Sequence, residues 1–399
     1  MTNDRIIQLG HLYRENLLSD VVPFWQAHSP DREYGGFFTF LDRTGRRYGE
    51  DKPIWLQGRA AWMFATLYRL VEPRPEWLAL ARHGCEFLDR YAVDASGKLF
   101  FCVTREGRPL RMRRYVFSEV FAGLAFAGMA AATGEEWALR RAQALHRSFV
   151  RYLRTPGLIP PKTDPRTRPM KSLSPLMCLL YFSDALREVD REGSYEEVID
   201  ACVEEILRDF VKRDEDCVLE TVGPAGEHLE GPDGRAMNPG HVIECAWFML
   251  EVARRRRDPT LSAKAALLVD IALRRGWDER FGGLFYWIDV EGRPATQLEH
   301  DMKLWWPHNE ALIALLLAYE ATGESRYADW FEKMHAWTWA HFPDRECGEW
   351  FGYLHRDGSV STPLKGGLWK GMFHVPRCLL LCWQTLMRLS TRAGPAGGP

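Results

Sequence analysis

Apolar residues along this chain recur at helical spacing in blocks of about 17 to 22 residues, separated by shorter stretches in which apolar and polar positions alternate. Leu78, Ala81, Cys85 and Leu88 form one helical stripe, and Ala122, Ala125, Phe126 and Met129 another. The pattern predicts helices near 5–28, 56–72, 75–93, 116–133, 135–154, 172–190, 194–212, 240–257, 259–275, 306–322, 324–341 and 370–389. Four of the intervening stretches share a small residue, an aromatic cluster, a charged residue and a glycine: GGFFTFLDRTGR from Gly35, GKLFFCVTREGRP from Gly97, GGLFYWIDVEGRP from Gly282 and GEWFGYLHRDGSV from Gly348. Each reads as a short hairpin closed by a glycine turn. Weaker relatives begin near Gly157 and Cys217, so six starts lie 60 to 66 residues apart.

Six hairpin-linked helix pairs describe an all-α (α/α)6 barrel, expected as one catalytic domain over 1–390 with a disordered tail at 391–399. An open solenoid has the same period, but its end helices need a polar capping face. Here the first helix carries Trp25 and the last carries Leu379 to Cys382. Tight links such as ATGEEW and RRDPTLS fall at one end, and the longer hairpins fall at the other. That second end is also where the inner helix of each pair begins, and polar residues gather at those beginnings: Arg59, Glu119, Ser172, Ser174, His241, Glu244, His308, Glu310, His374 and Arg377.

Composition narrows the picture. Hydrophobic residues are 46% and charged residues 27% of 399, a globular balance, and the net charge of −2 with only short basic runs argues against nucleic acid. The densest run, Arg254 to Arg257, ends a predicted helix and offsets its dipole. Nine cysteines without a CxxC pair suggest neither disulfides nor zinc. With a polar N-terminus and no long apolar run, a cytoplasmic protein with no membrane contact is expected. No HExxH, Walker-type loop or strand-linked GxGxxG is present, so no metal or nicotinamide is expected.

Three stretches offer chemistry. NPGHVIECAWFML sets His241 and Glu244 three apart on one helical face, where a carboxylate can orient an imidazole. KLWWPHNEALIA brings Lys303, Trp305, Trp306, His308 and Glu310 together, and tryptophan faces stack well on the C–H groups of a sugar. KGGLWKGMFHVPRCL places Lys370, His374 and Arg377 at the start of an apolar helix. Histidines on opposite inner helices suit inversion of a stereocentre by removing a proton from one face and returning it to the other. Arg59 would stabilise the oxyanion formed between the two steps. Paired carboxylates among Glu119, Glu244 and Glu310 leave glycoside processing as a second reading.

These same stretches, with GEWFGYLHRDG and WLQGRAAW, closely resemble the N-acylglucosamine 2-epimerases, whose animal members are also called renin-binding proteins. The resemblance covers nearly the whole chain. It implies a metal-free homodimeric barrel that interconverts N-acetylglucosamine and N-acetylmannosamine. It also implies catalytic roles for Arg59, His241, His374 and Glu310, with Glu244 supporting the first histidine. Trp305, Trp306, Lys303, His308, Arg377 and Glu119 are expected to contact the sugar. Many members respond to ATP as an effector that is not consumed; PPKTDPRTRPMKS at 160–172 is the segment in which to look for such a site, although it carries no recognised phosphate motif and reads first as a solvated basic loop. Cellobiose epimerases and mannose isomerases of this fold resemble one another in a further histidine on the sixth helix. MKSLSPLMCLLYF has none, which favours N-acyl sugars and leaves mannose 2-epimerase as the alternative.

Overall fold

The hairpins do more than reverse the chain. In the computed structural model, which describes residues 1–112, 116–160, 163–191 and 193–392, the strand leading into an inner helix pairs with the hairpin of the next repeat. Lys52–Pro53 pairs with Cys102–Val103, Lys171–Ser172 with Thr221–Val222, Ala236–Met237 with Ile288–Asp289, and Lys303–Leu304 with Tyr353–Leu354. The last repeat returns to the first through Lys365 and Gly366, whose N–H groups donate to Leu41 O. Such seams close a ring, because each repeat's unpaired backbone is satisfied by its neighbour.

The inner ring consists of α3 (Ile54–Leu70), α5 (Phe117–Thr133), α7 (Leu173–Val189), α9 (Pro239–Arg256), α11 (Trp305–Thr322) and α13 (His374–Arg392). Around it lie α1 (Asn3–Asn16) with α2 (Val22–His28), α4 (Pro75–Tyr91), α6 (Glu136–Arg154), α8 (Tyr195–Glu205), α10 (Pro259–Gly276) and α12 (Ser325–His341). Inner helices are buried on nearly every side, as α11 shows from Trp305 to Ala318, whereas α6 buries one stripe through Ala138, Ala142, His146 and Phe149. Closure is completed by α1 against α13 and by Phe373 against Trp62 of α3, ring centroids 5.5 Å apart.

Two departures from the expected boundaries have local causes. The first helix is interrupted by a π-helical turn at Leu17–Val21, just before Pro23, which has no N–H to continue the α-helical ladder. The last helix begins at His374, four residues later than the period suggests, because the Lys370 ammonium is drawn back to Lys365 O (2.9 Å) and to Glu349. It also runs on to Arg392, so residues 391–392 are helical, and the rest of the expected tail, 393–399, lies outside the described residues. At the tight-turn end Arg255 and Arg256 bind Asp184 of α7 and Glu196 and Asp200 of α8, so the arginine run bolts three helices together.

Three seams carry the same buried staple. Asp31 receives Lys52 (2.8 Å) and Arg105 (2.9 Å); Asp278 receives Lys303 (3.0 Å) and Arg356 (2.8 Å); Asp344 receives Lys365 (2.9 Å) and Arg43 (2.7 Å). Each aspartate and lysine belong to one repeat and each arginine to the next. The three lysines are fully buried, so the pairing offsets a large desolvation cost.

Candidate active site

Proline in the first turn of an inner helix leaves no buried N–H to satisfy, and α9, α11 and α13 all begin this way with Pro239, Pro307 and Pro376. In α9 the Asn238 side chain accepts the His241 N–H at 3.0 Å, which fixes His241 in the first turn at the ring's mouth. Gly240 lets the neighbouring helix approach: a Cβ there would lie 2.6 Å from the Trp306 ring. Trp306 consequently packs against His241 (5.1 Å between centroids) and also against His374 (5.9 Å). Trp305 lies edge-on to His374 and to Tyr353. One indole thus joins the two histidines, and a second backs His374.

Each histidine has a carboxylate on Nδ1. His374 Nδ1 lies 2.7 Å from Glu310 Oε1, and His241 Nδ1 lies 2.9 Å from Glu220 Oε2. Glu310 is saturated, because Trp247 Nε1 donates to its other oxygen (2.7 Å) and Arg377 Nη2 lies 2.8 Å from the first. The same Arg377 nitrogen reaches Glu244 Oε1 at 2.6 Å. Burial, and after it the charges of Arg59 and Arg377, hold His374 well below the usual histidine range. For Arg377 burial works the other way, but Glu310 and Glu244 keep its guanidinium firmly charged.

Arg59 is the exception among these charges. Its guanidinium is sandwiched by Phe121 (4.0 Å), Trp55 (4.4 Å) and Phe373 (4.7 Å), and its buried Nε has no hydrogen-bond partner among the described residues. Burial pushes it down to about 9, with Glu244 opposing and Arg377 reinforcing the fall. A cation held on aromatic faces without a carboxylate is set to receive an anionic oxygen from outside the chain.

Several expected sugar contacts lie elsewhere. Lys303 is the fully buried member of the Asp278 staple, where burial lowers its ammonium to about 8 although Asp278 opposes the fall. His308 is also fully buried: Nδ1 donates to Leu304 O (2.7 Å), Nε2 accepts from the Leu284 N–H (2.9 Å), and burial takes its pKa to about 3, so it is a neutral strut stacked on Trp337. Glu119 accepts the Leu99 N–H (3.3 Å), tying α5 to its own hairpin. Arg377, 1% exposed, has its guanidinium taken up in bridging Glu244 and Glu310. Glu244 is engaged by Arg377, and the carboxylate on the His241 Nδ1 is Glu220, which the helical spacing of His241 and Glu244 did not suggest. A signal was present nonetheless, since Glu220 is the one charge in the otherwise apolar or hydroxylic run CVLETV.

Glu244, Glu310 and His374 bring ligand atoms within 4.8 Å of one another, the grouping a metal ion would need. Arg377 already supplies the positive charge on both carboxylates, and a divalent cation would have to displace it. The donor set is therefore built around a guanidinium. Of the nucleotide segment at 160–172, residues 161–162 lie outside the described residues.

Residues 36–378 match the family model N-acylglucosamine 2-epimerase (GlcNAc 2-epimerase). The N-acylglucosamine 2-epimerase of Bos taurus is 43% identical over 95% of this chain and 92% of its own length, and that of Homo sapiens is 42% identical over 95% and 90%. Among solved structures, the cellobiose 2-epimerase of Spirochaeta thermophila superposes with a TM-score of 0.83 at 22% identity, over 97% of this chain and 98% of that one. That likeness concerns the (α/α)6 fold. The family model over most of the chain and the identity of 42–43% to the mammalian enzymes establish that this chain belongs to the N-acylglucosamine 2-epimerase family.

Proposed function

We propose that the protein is an isomerase interconverting N-acetyl-D-glucosamine and N-acetyl-D-mannosamine at carbon 2 of the ring-opened sugar. The observation that carries this reading is the pair of carboxylate-bound histidines on α9 and α13, both packed on Trp306, beside Arg59, whose buried Nε has no hydrogen-bond partner among the described residues. With Nδ1 directed to a carboxylate, each ring presents Nε2 for proton transfer. One histidine takes the proton from carbon 2, and the electron pair moves to the carbonyl oxygen at carbon 1. The enolate so formed lies against Arg59, which offers a fork of N–H donors. The other histidine then delivers a proton to the opposite face, the carbonyl re-forms and the configuration is inverted.

Glycoside processing by paired carboxylates fits this site poorly, because Glu244 and Glu310 are both bound by Arg377 and neither is placed as an acid or a nucleophile. We carry three further readings as part of the proposal: a homodimer, a cytoplasmic location and ATP as an allosteric activator with no cofactor in the chemistry. All nine cysteines are free thiols, which supports a reducing compartment, and no described helix is long and apolar enough to cross a membrane. The deciding experiment incubates the protein with N-acetylmannosamine, mannose and cellobiose, with and without ATP. Rapid formation of N-acetylglucosamine is expected. Preferential turnover of mannose would replace the proposed substrate.

A further inference from the structure

Glu220 is held with unusual care for a hairpin residue. It sits between the strands Cys217–Val218 and Thr221–Val222; its N–H donates to Ala236 O (2.9 Å) and its C=O accepts the Leu173 N–H (3.0 Å). Its backbone is thus pinned to the strand entering α9 and to the start of α7. The side chain is nine-tenths buried, and its one hydrogen bond among the described residues is to His241 Nδ1, with no lysine or arginine on the carboxylate. Glu310, the corresponding carboxylate of His374, is shared with Arg377 and Trp247.

This difference has chemical content. A carboxylate on Nδ1 fixes the imidazole tautomer and also stabilises the imidazolium, and a guanidinium bound to the same carboxylate cancels much of the second effect. Among the described residues, Glu244, one turn along α9, does not reproduce it because Arg377 neutralises it, and His374 across the Trp306 ring is kept neutral by burial and by the charges of Arg59 and Arg377. Resting on the epimerase reading above, we propose that Glu220 is the positioning residue of His241, aiming its Nε2 at substrate and making His241 the ring that holds the shared proton between turnovers. The site then contains two couples of unequal character. Glu220 with His241 stores the proton, and Glu310 with His374 presents a neutral base.

The test is Glu220→Gln in the full-length protein, which keeps the shape and an acceptor oxygen but removes the charge. We expect kcat on N-acetylmannosamine to fall by about 10²-fold, the scale of general acid–base assistance, with KM changed by less than about twofold. Without the anion the shared proton is lost at lower pH, so the alkaline limb of the kcat/KM profile moves to lower pH. In deuterated water, label uptake at carbon 2 should fall in the same epimer that His241→Asn affects and persist in the other. An unmoved pH profile, or equal loss of exchange in both epimers, would overturn the proposal. Nitrogen NMR of the wild-type protein provides a check that needs no variant: the His241 Nδ1 is expected to carry a proton, and a bare Nδ1 would also overturn it. If the functional reading itself were at fault, the wild-type protein would not epimerise N-acetylmannosamine at all, an outcome visible before any variant is made.

Discussion

Arg59 allows activity and stability to be separated in a single substitution. Its depression to about 9 from an ordinary 12.5 corresponds to a burial penalty on the order of 5 kcal/mol, at about 1.36 kcal/mol per tenfold change. The stacking on Phe121, Trp55 and Phe373 returns roughly 0.5–1 kcal/mol per ring at an exposed site and up to about 2 where desolvated. The three rings together return roughly 1.5–6 kcal/mol, so the net cost lies between about zero and roughly 3 kcal/mol, and because pH 7 lies well below the depressed value it is present in full under assay conditions. Arg59→Met replaces the unpaired cation with an apolar chain of similar length that fills the same aromatic slot. It should therefore leave stability unchanged or raise it by up to roughly 3 kcal/mol, in line with apolar replacement of buried charges. Turnover should fall by at least about 10²–10³-fold, the effect of removing one preorganised oxyanion donor. Arg59→Lys should lose nearly as much, since an ammonium keeps the charge but offers neither the planar fork nor the stacked face. The assays are urea unfolding followed by circular dichroism and initial rates on N-acetylmannosamine. A Met variant less stable than wild type, or a folded Lys variant with near-normal turnover, would refute the account of Arg59 as an unpaired cation held for substrate.

Other outcomes follow from the same geometry. Either His241→Asn or His374→Asn should stop net epimerisation while leaving slow solvent-deuterium uptake at carbon 2 of one epimer only, a different epimer for each variant; near wild-type epimerisation by either would exclude a two-histidine mechanism. Exhaustive chelation should leave the rate unchanged, because Arg377 supplies the positive charge on Glu244 and Glu310; activity restored only by a divalent ion would contradict this. Asp278→Asn leaves Lys303 buried without its anion and should cost about 3–5 kcal/mol in unfolding at pH 7. Burial alone would raise Asp278, but hydrogen bonds from Arg356 and Lys303 hold it well below the usual 3.8. Its contribution is therefore complete above about pH 4 and lost as pH falls through the depressed folded value, so wild type and variant should converge only in strong acid.

The barrel was legible because its period is written twice, in the helical stripes and in the glycine-closed hairpins. The site was legible where side chains share a helix turn with a strong signal, as His241 does with Pro239 and Gly240, or His374 with Pro376. Misreadings arose where proximity in sequence does not determine direction in space. Lys303 and His308 flank the two tryptophans, but Lys303 is bound in the buried Asp278 staple and His308 accepts the Leu284 N–H. Glu244 sits at the correct helical offset from His241, but Arg377, 133 residues away, claims it. Glu220 belongs to the preceding hairpin, and only the pairing of Thr221–Val222 with Lys171–Ser172 and its own bond to Ala236 O bring it to His241. Such contacts depend on ring closure, to which local periodicity is blind.

The aspartate–lysine–arginine staple also bears on where this chain begins and ends. Asp344, Lys365 and Arg43 clasp the last repeat to the first with the same atoms and nearly the same distances that Asp278, Lys303 and Arg356 use between two repeats joined by continuous chain. To the folded molecule the joint containing the termini is one joint among several, and its strength owes nothing to the peptide bond. Cutting the chain at a tight link such as Gly134 and connecting the old ends by a flexible segment would move the opening without changing any staple. The order in which the repeats are synthesised is thus separable from the order in which they stand around the sugar.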